Sequence, residues 1–434
     1  MDQVKVGICG LGTVGSGTLN VMQRNAADIN ARAGKQIEIS HIGARRDSPD
    51  CDVSGFKVSR DIFDVVRDPE VQIVVELIGG TDVARELVLE AIEAGKHVVT
   101  ANKALIAEHG NELFEAALNK GVALAYEAAV AGGIPIIRAL REGLAGNEIR
   151  WIAGIINGTS NYILTEMAGG REYAEVLAEA QALGYAEADP TFDVEGVDAA
   201  HKLVILGSIA CRIPLQFEKV YTEGISQLSP RDLRYAEELG YRVKHLGIIW
   251  RAPEGVELRV HPTLVPEERL IANVDGVMNA VLVEGDAVGP TLYYGAGAGA
   301  EPTASSVIAD IIEIARQVDL EPGARTPYLG FEYSGQTDLP ILPIEDCVTS
   351  YYLRMMVEDR PGALSAITRI FSESGISIEA LIQKEAKSGQ TQVPIIMITS
   401  EAREGDLLAA FAEVEKLDQV VTPLVKIRVE NLDG

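Results

Sequence analysis

The sequence predicts a multidomain α/β protein: a doubly wound parallel sheet at the N-terminus, an α+β domain in the middle, and a small module of four strands and two helices at the C-terminus. Three observations predict it. A glycine turn joins a strand to a helix within the first fifteen residues, strand and helix alternate as far as residue 125, and a βαββαβ order appears after residue 350. At about 150 residues per domain, 434 residues hold two or three folded units.

Charge narrows the class of partner. Lys and Arg number 38 against 64 Asp and Glu, a net charge of −26, which repels nucleic acid and anionic membranes at long range. A small anionic ligand at a local cationic spot remains compatible, because salt screens exposed charges beyond about 8 Å. Cys9, Cys51, Cys211 and Cys347 are scattered without a CxxC pair, which disfavours a zinc site or a disulfide framework and suits a reducing compartment. Residues 1–10 run into the alternation Val4, Val6, Ile8 with no basic segment and apolar signal core, and no apolar run approaches membrane-spanning length. The expectation is a cytoplasmic protein.

Residues 4–8 read as a buried strand, followed by Gly10, Leu11, Gly12, Thr13, Val14 and Gly15 and then a helical pattern through Leu19 and Met22. Gly10 permits the tight turn, Gly12 the approach of a pyrophosphate, and Gly15 close packing of helix on strand, the Rossmann-type dinucleotide pattern. A second strand over 37–42 ends in Arg45 and Arg46, where an NAD-selective site places an acidic residue. Guanidinium groups there suit a 2′-phosphate, so NADP(H) is favoured and NAD(H) is the alternative; solvated surface arginines are the competing reading. The polar stretch 25–35 lengthens the usual spacing to these arginines. Strands over 71–78, 97–100 and 122–125 alternate with a helix over 85–94, and Lys103 follows the carboxyl end of the 97–100 strand, where ligands of such sheets bind. It is either a site lysine or a solvent-facing helix start. Glycines 132 and 133 with Pro135 mark the crossing out of the first domain.

In the middle region a strand over 151–156 leads into Asn157, Gly158, Thr159, Ser160 and Asn161, a polar turn able to cap a helix or to hold an amino-acid ligand. Between 171 and 199 one basic residue faces eight acidic ones. Glu172, Glu175 and Glu179 fall at helical spacing, whereas Glu187 and Asp189 lie on the loop opened by Gly184, with Asp193 beyond it. Asp198 and Lys202 share one face of an apolar helix over 197–210. They form either a surface ion pair or a lysine held protonated beside carboxylates and able to deliver a proton to an alkoxide. A second glycine-rich run, 295–305, precedes a helix over 307–318 but lacks the lysine of a P-loop.

Residues 321–345 are rich in proline and glycine and read as a linker. Beyond it, strands over 351–357, 377–383, 392–400 and 420–429 with helices over 363–371 and 406–417 give the ferredoxin-like order.

On the fingerprint 10–15, on 100–103 (Thr, Ala, Asn, Lys), on Asn157 to Thr159, on 184–190 (Gly, Tyr, Ala, Glu, Ala, Asp, Pro) and on Asp193 through Asp198 to Lys202, the chain closely resembles homoserine dehydrogenases with a C-terminal ACT domain; Asp359 to Leu364 resembles the first loop of ACT domains. The resemblance spans essentially the whole chain. It implies an oxidoreductase interconverting L-homoserine and L-aspartate 4-semialdehyde in threonine, methionine and isoleucine biosynthesis. It further implies Lys202 as proton donor and acceptor, with Glu187, Asp193, Asp198, Lys103 and Thr159 around the substrate. Lys103 also borders the cofactor. A sodium ion on the carbonyl oxygens of Glu127, Val130, Gly132 and Ile134 is implied as well, although packing reads those glycines equally well. The implied organisation is 1–134 with 296–322 for the NAD(P)-binding domain, 135–295 for the substrate-binding and dimerisation domain, 323–348 for the linker and 349–434 for the ACT domain. Threonine is the implied effector and a homodimer or homotetramer the implied assembly, the alternative being an ACT module that only dimerises or stabilises the enzyme. Aspartate-semialdehyde dehydrogenase, a competing enzyme, needs a nucleophilic cysteine, and none of the four has the local pattern. A non-catalytic sensor would have no use for Lys202 among loop carboxylates.

Overall fold

The computed structural model describes residues 2–384 and 391–433. The N-terminal sheet is wholly parallel, in the order Lys57–Ser59, Gln36–Gly43, Gln3–Cys9, Ile73–Glu76, His97–Thr100, Leu124–Ala125. This is the doubly wound order, whose switch point lies between the first and fourth strands along the chain. Its central strands are short Val and Ile runs buried on both faces, as a sheet covered by helices on each side requires. The strand expected over 71–78 is shorter, Ile73–Glu76, because Glu76 turns its carboxylate onto the amides of Ile78 and Gly79 and ends the ladder there. The polar stretch after residue 25 forms the helix Ala26–Ala33, which accounts for the long spacing to Arg45 and Arg46.

The second glycine-rich run opens the helix Ala300–Gln317, seven residues earlier than the apolar pattern suggests. Its Val307, Ile311 and Ile314 bury themselves with Val4, Val6, Ile8 and Ile73, so this late helix belongs to the core of the first sheet.

The second sheet has the path Gly289–Ala296, Met278–Gly285, Ile149–Ile155, Tyr241–Ala252, Gly255–Pro266, Val425–Val429, Val348–Glu358, Gln392–Thr399, Ile378–Gln383. The C-terminal region is therefore not separate from the middle domain. Strand Val425–Val429 pairs antiparallel with Val348–Glu358 on one side and parallel with Gly255–Pro266 on the other. Side chains alternate across the sheet and see different neighbours. Tyr351, Leu353 and Met355 pack under the helices Ala363–Glu373 and Glu404–Glu415, whereas Tyr352, Ile396, Ile398 and Ile427 pack against Gly158–Ala168 and Pro230–Glu238 of the middle domain. The proline-rich stretch after 321 is not a loose linker either: it buries Leu329 and Ile341, and Ile341 bridges Val256. Among the described residues no helix is long and apolar enough to cross a membrane.

A buried ion pair fastens the seam. Asp232 Oδ1 accepts from the Tyr352 hydroxyl at 3.0 Å and from Arg354 Nε at 2.5 Å, and Asp232 Oδ2 accepts from Arg354 Nη2 at 3.1 Å. Asp232→Ala leaves a largely buried guanidinium and a buried phenol unpaired. It should cost about 3–5 kcal/mol in denaturant melts, and a loss under about 1 kcal/mol would mean that the pair does not hold the seam.

Candidate active site

Asp198, first turn of the helix Val197–Cys211, is buried and gathers the site around it. Lys202 Nζ lies 2.7 Å from its Oδ2 and donates a second bond to the Ile156 carbonyl at 2.7 Å. Lys103, first residue of the helix Lys103–Lys120, reaches Asp198 Oδ1 at 2.7 Å. Asn157 Nδ2 lies 2.8 Å from both Asp198 Oδ2 and Asp193 Oδ1, and its Oδ1 accepts from the Ser160 amide, capping the helix Gly158–Ala168. The i,i+4 spacing thus forms a buried pair, not a surface one.

Burial alone would raise the Asp198 carboxyl, but Lys202 and Lys103 hold it below the usual carboxylate range, so it stays charged. Burial pulls the Lys202 ammonium down; Asp198 opposes this and Lys103 adds to it. Asp193 moves up, chiefly through burial and then through the charge of Asp198. An ammonium has three N–H groups, and Lys202 spends two on Asp198 and Ile156. One donor remains for a ligand oxygen.

Thr159 donates to the Tyr185 carbonyl at 2.6 Å, fixing one end of the 184–190 loop, and Gln181 donates to the Glu187 carbonyl at 3.0 Å. The Glu187 side chain is exposed on that loop and is not drawn into the cluster. Three contributors do not stand out in the sequence. Asn157 reads as a turn residue, yet it bridges two carboxylates. Phe192 offers its ring to Lys103 Nζ at 5.5 Å, and His201 lies between Phe192 and Phe217, tilted to both, with ring centroids 5.5 and 4.2 Å away. Burial draws His201 down to about 4, so it remains neutral. Its place directly before Lys202 on an apolar helix is the only sequence signal for it.

In the first domain Gly10 has φ +104°, and a Cβ there would sit 2.5 Å from the Leu77 carbonyl; a Cβ on Gly15 would sit 2.1 Å from the Gly10 carbonyl. Gly12 faces open space. Leu11 is buried, Val14 half-buried and Thr13 exposed at the start of the helix Thr13–Arg24, whose N-terminus has no side-chain cap and leaves N–H groups for an anion. The turn fits a dinucleotide pyrophosphate. Arg45 and Arg46 are exposed beyond the second strand, and among the described residues neither pairs with a carboxylate, whereas Arg60 pairs with Asp47 and the Ala44 carbonyl.

At the crossing between the sheets Glu127, Val130, Gly132 and Ile134 are buried, and the backbone is left-handed at Ala131 and Gly132. The Gly132 carbonyl accepts from Ser306 Oγ at 2.6 Å and that of Ile134 from the Ile136 amide at 2.8 Å. The Glu127 carboxylate accepts from the amides of Ile137 and Arg138, and burial pushes it up to about 7. Each carbonyl keeps a second lone pair, so the loop fits a hard cation. Cys9, Cys211 and Cys347 are buried with raised thiols, that of Cys211 to about 11, which removes them as nucleophiles.

Three family models match: residues 10–127 match the homoserine dehydrogenase NAD-binding domain, 135–312 homoserine dehydrogenase, and 351–419 the ACT domain. Homoserine dehydrogenase of Pseudomonas aeruginosa is 61% identical over 434 residues, covering 100% of both chains, and that of Neisseria gonorrhoeae 52% over 442 residues with the same coverage. A crystal structure of a homoserine dehydrogenase from Thiobacillus denitrificans, 57% identical, superposes with a TM-score of 0.94 over 100% of this chain and 99% of that one. A hyperthermophilic archaeal homoserine dehydrogenase in complex with NADPH, 26% identical, gives 0.62 over 74% of this chain and 99% of that one. With a nicotinamide-binding turn, a buried lysine and carboxylate centre and an ACT module in one polypeptide, the chain belongs to the homoserine dehydrogenase family and is an oxidoreductase.

Proposed function

We propose that Lys202 is the proton-transfer group for the interconversion of L-homoserine and L-aspartate 4-semialdehyde, with NADP(H) preferred over NAD(H), in threonine, methionine and isoleucine biosynthesis. One observation carries this reading: a buried ammonium fixed between Asp198 and the Ile156 carbonyl keeps one donor unspent.

A bound nicotinamide supplies the hydride chemistry; Gly10 to Gly15 and the edge formed by Lys103 would hold it. In homoserine oxidation Lys202, neutral, takes the hydroxyl proton. In semialdehyde reduction Lys202, charged, returns it to the oxygen. Burial lowers the cost of the neutral form, and Lys103 lowers it further. Lys103 also places a second positive charge where negative charge builds on that oxygen. Asp193 and the exposed Glu187 receive the substrate ammonium, Thr159 holds the Tyr185 end of their loop, and Asp198 orients both lysines.

The unpaired Arg45 and Arg46 favour the 2′-phosphate of NADP(H). A sodium ion on the carbonyls of Glu127, Val130, Gly132 and Ile134 suits their burial and their unspent lone pairs. The ACT module, by way of the Asp359 to Leu364 loop, takes threonine as effector. Among the described residues the edges at Gly289–Ala296, with Tyr294 exposed, and at Ile378–Gln383 are unpaired, which suits a homodimer or homotetramer. Four free cysteines suit a reducing cytoplasm.

With L-homoserine and either nucleotide, followed at the nicotinamide absorbance, the protein should turn over. Lys202→Ala should lower kcat at least about 100-fold with nucleotide affinity nearly intact. Near-normal turnover would remove Lys202 from the chemistry. The ratio of kcat/KM should favour NADP(H), and replacing Arg45 and Arg46 by alanine should erase that bias; a wild-type preference for NAD would refute the assignment of these arginines.

A further inference from the structure

Away from the catalytic lysine lies a second polar cavity of about 230 Å³. Its walls are the C-terminal half of the helix Gly158–Ala168, the helix Pro230–Glu238, the start of the strand Tyr241–Ala252 and the turn at Asp275. The floor is cationic. Lys244 is buried, with Nζ donating to the Val274 carbonyl at 2.7 Å and to Asp275 at 2.9 Å, and keeps one N–H. Arg242, two residues earlier on the same face of the strand, has a buried Nε without a hydrogen-bond partner. A buried, unsatisfied guanidinium N–H is costly and calls for an acceptor. At the mouth Glu237 is exposed, Asp275 is already paired with Lys244, and the helix ends beside them at Ala168 and Gly169, its partially negative terminus. Leu164 and Leu233 supply an apolar side.

We propose that this cavity binds a small α-amino acid, its carboxylate on Arg242 and Lys244, its ammonium between Glu237 and the helix end, and a short side chain on the leucines. A lone carboxylate would leave the mouth unmatched, and a lone amine would meet the cationic floor. The cavity is distinct from the catalytic cluster and from the 359–364 loop of the ACT module. The helix that lines it carries Asn157 and Thr159 at its other end, so cavity and catalytic cluster share one rigid element.

Isothermal titration of the full chain with the twenty common amino acids, without nucleotide, tests this. At least one short aliphatic or hydroxylated amino acid should bind, and its deaminated and decarboxylated analogues (for valine, isovalerate and isobutylamine) should bind at least about 10-fold more weakly. Arg242→Met should weaken that binding at least about 10-fold with basal turnover within about twofold of the parent. Glu237→Lys, at an exposed position that tolerates charge, should weaken it comparably and keeps the test alive if Arg242→Met fails to fold. Arg360→Ala in the ACT loop should leave it unchanged. Absence of any binding overturns the proposal, as does binding that survives both cavity variants or disappears in Arg360→Ala. Turnover of L-homoserine is measured separately, so failure of the catalytic reading and failure of this one are distinguishable.

Discussion

One carboxylate holds the candidate active site together. Asp198 is buried, charged, and saturated by two ammonium groups and an amide: Lys202 from its own helix, Lys103 from the end of the parallel sheet, and Asn157 from the turn after Ile149–Ile155. Three separate pieces of backbone therefore converge on one side chain. A buried charge without partners costs several kcal/mol, so each partner is fixed by the need of the others. The contact also spans the two sheets, since Lys103 stands at the carboxyl end of His97–Thr100 and Lys202 in the middle domain. The net charge of −26 takes on a different meaning at this point. It repels large anionic partners at long range, while this cluster gathers two ammonium groups where, on the proposed reading, an alkoxide forms.

The ACT module adds a second constraint. Its strands continue the middle sheet, and the face left uncovered by its own helices is buried by Gly158–Ala168 and Pro230–Glu238. Arg428, on the strand that joins the two parts, reaches Glu223 at 2.6 Å, and two residues later the Ile225 amide bonds to the Val194 carbonyl, between Asp193 and Asp198. Few residues separate the module from the acidic loop. A change of packing in the module therefore has a short physical path to the centre.

Much of this was legible in the sequence, for physical reasons. The glycine fingerprint, the short Val and Ile strands and the acidic 184–198 segment carry local signals, so the parallel sheet, its nucleotide turn and the pairing of Asp198 with Lys202 could be read directly. The long strands of the middle sheet carry no such signal. Gly255–Pro266 is buried along its whole length, so it lacks alternation, and its Glu257 and Arg259 are inward charges satisfied by each other and by Glu430. The welding of the C-terminal module depends on a parallel pairing of Thr263 and Leu264 with Arg428 and Val429, far apart in sequence. The bridging role of Asn157 and the tilted aromatic cluster around His201 are tertiary facts that no spacing encodes.

The pH dependence of homoserine oxidation in wild type and in Asp198→Asn is the most direct test of the centre. The Asp198 charge raises the Lys202 ammonium against burial, so its removal lowers that group further and admits the neutral form at lower pH. The account predicts that the acidic limb of the kcat profile moves to lower pH while the plateau falls at least about 100-fold as both lysines lose their anchor. An unchanged profile with a near-normal plateau would contradict it.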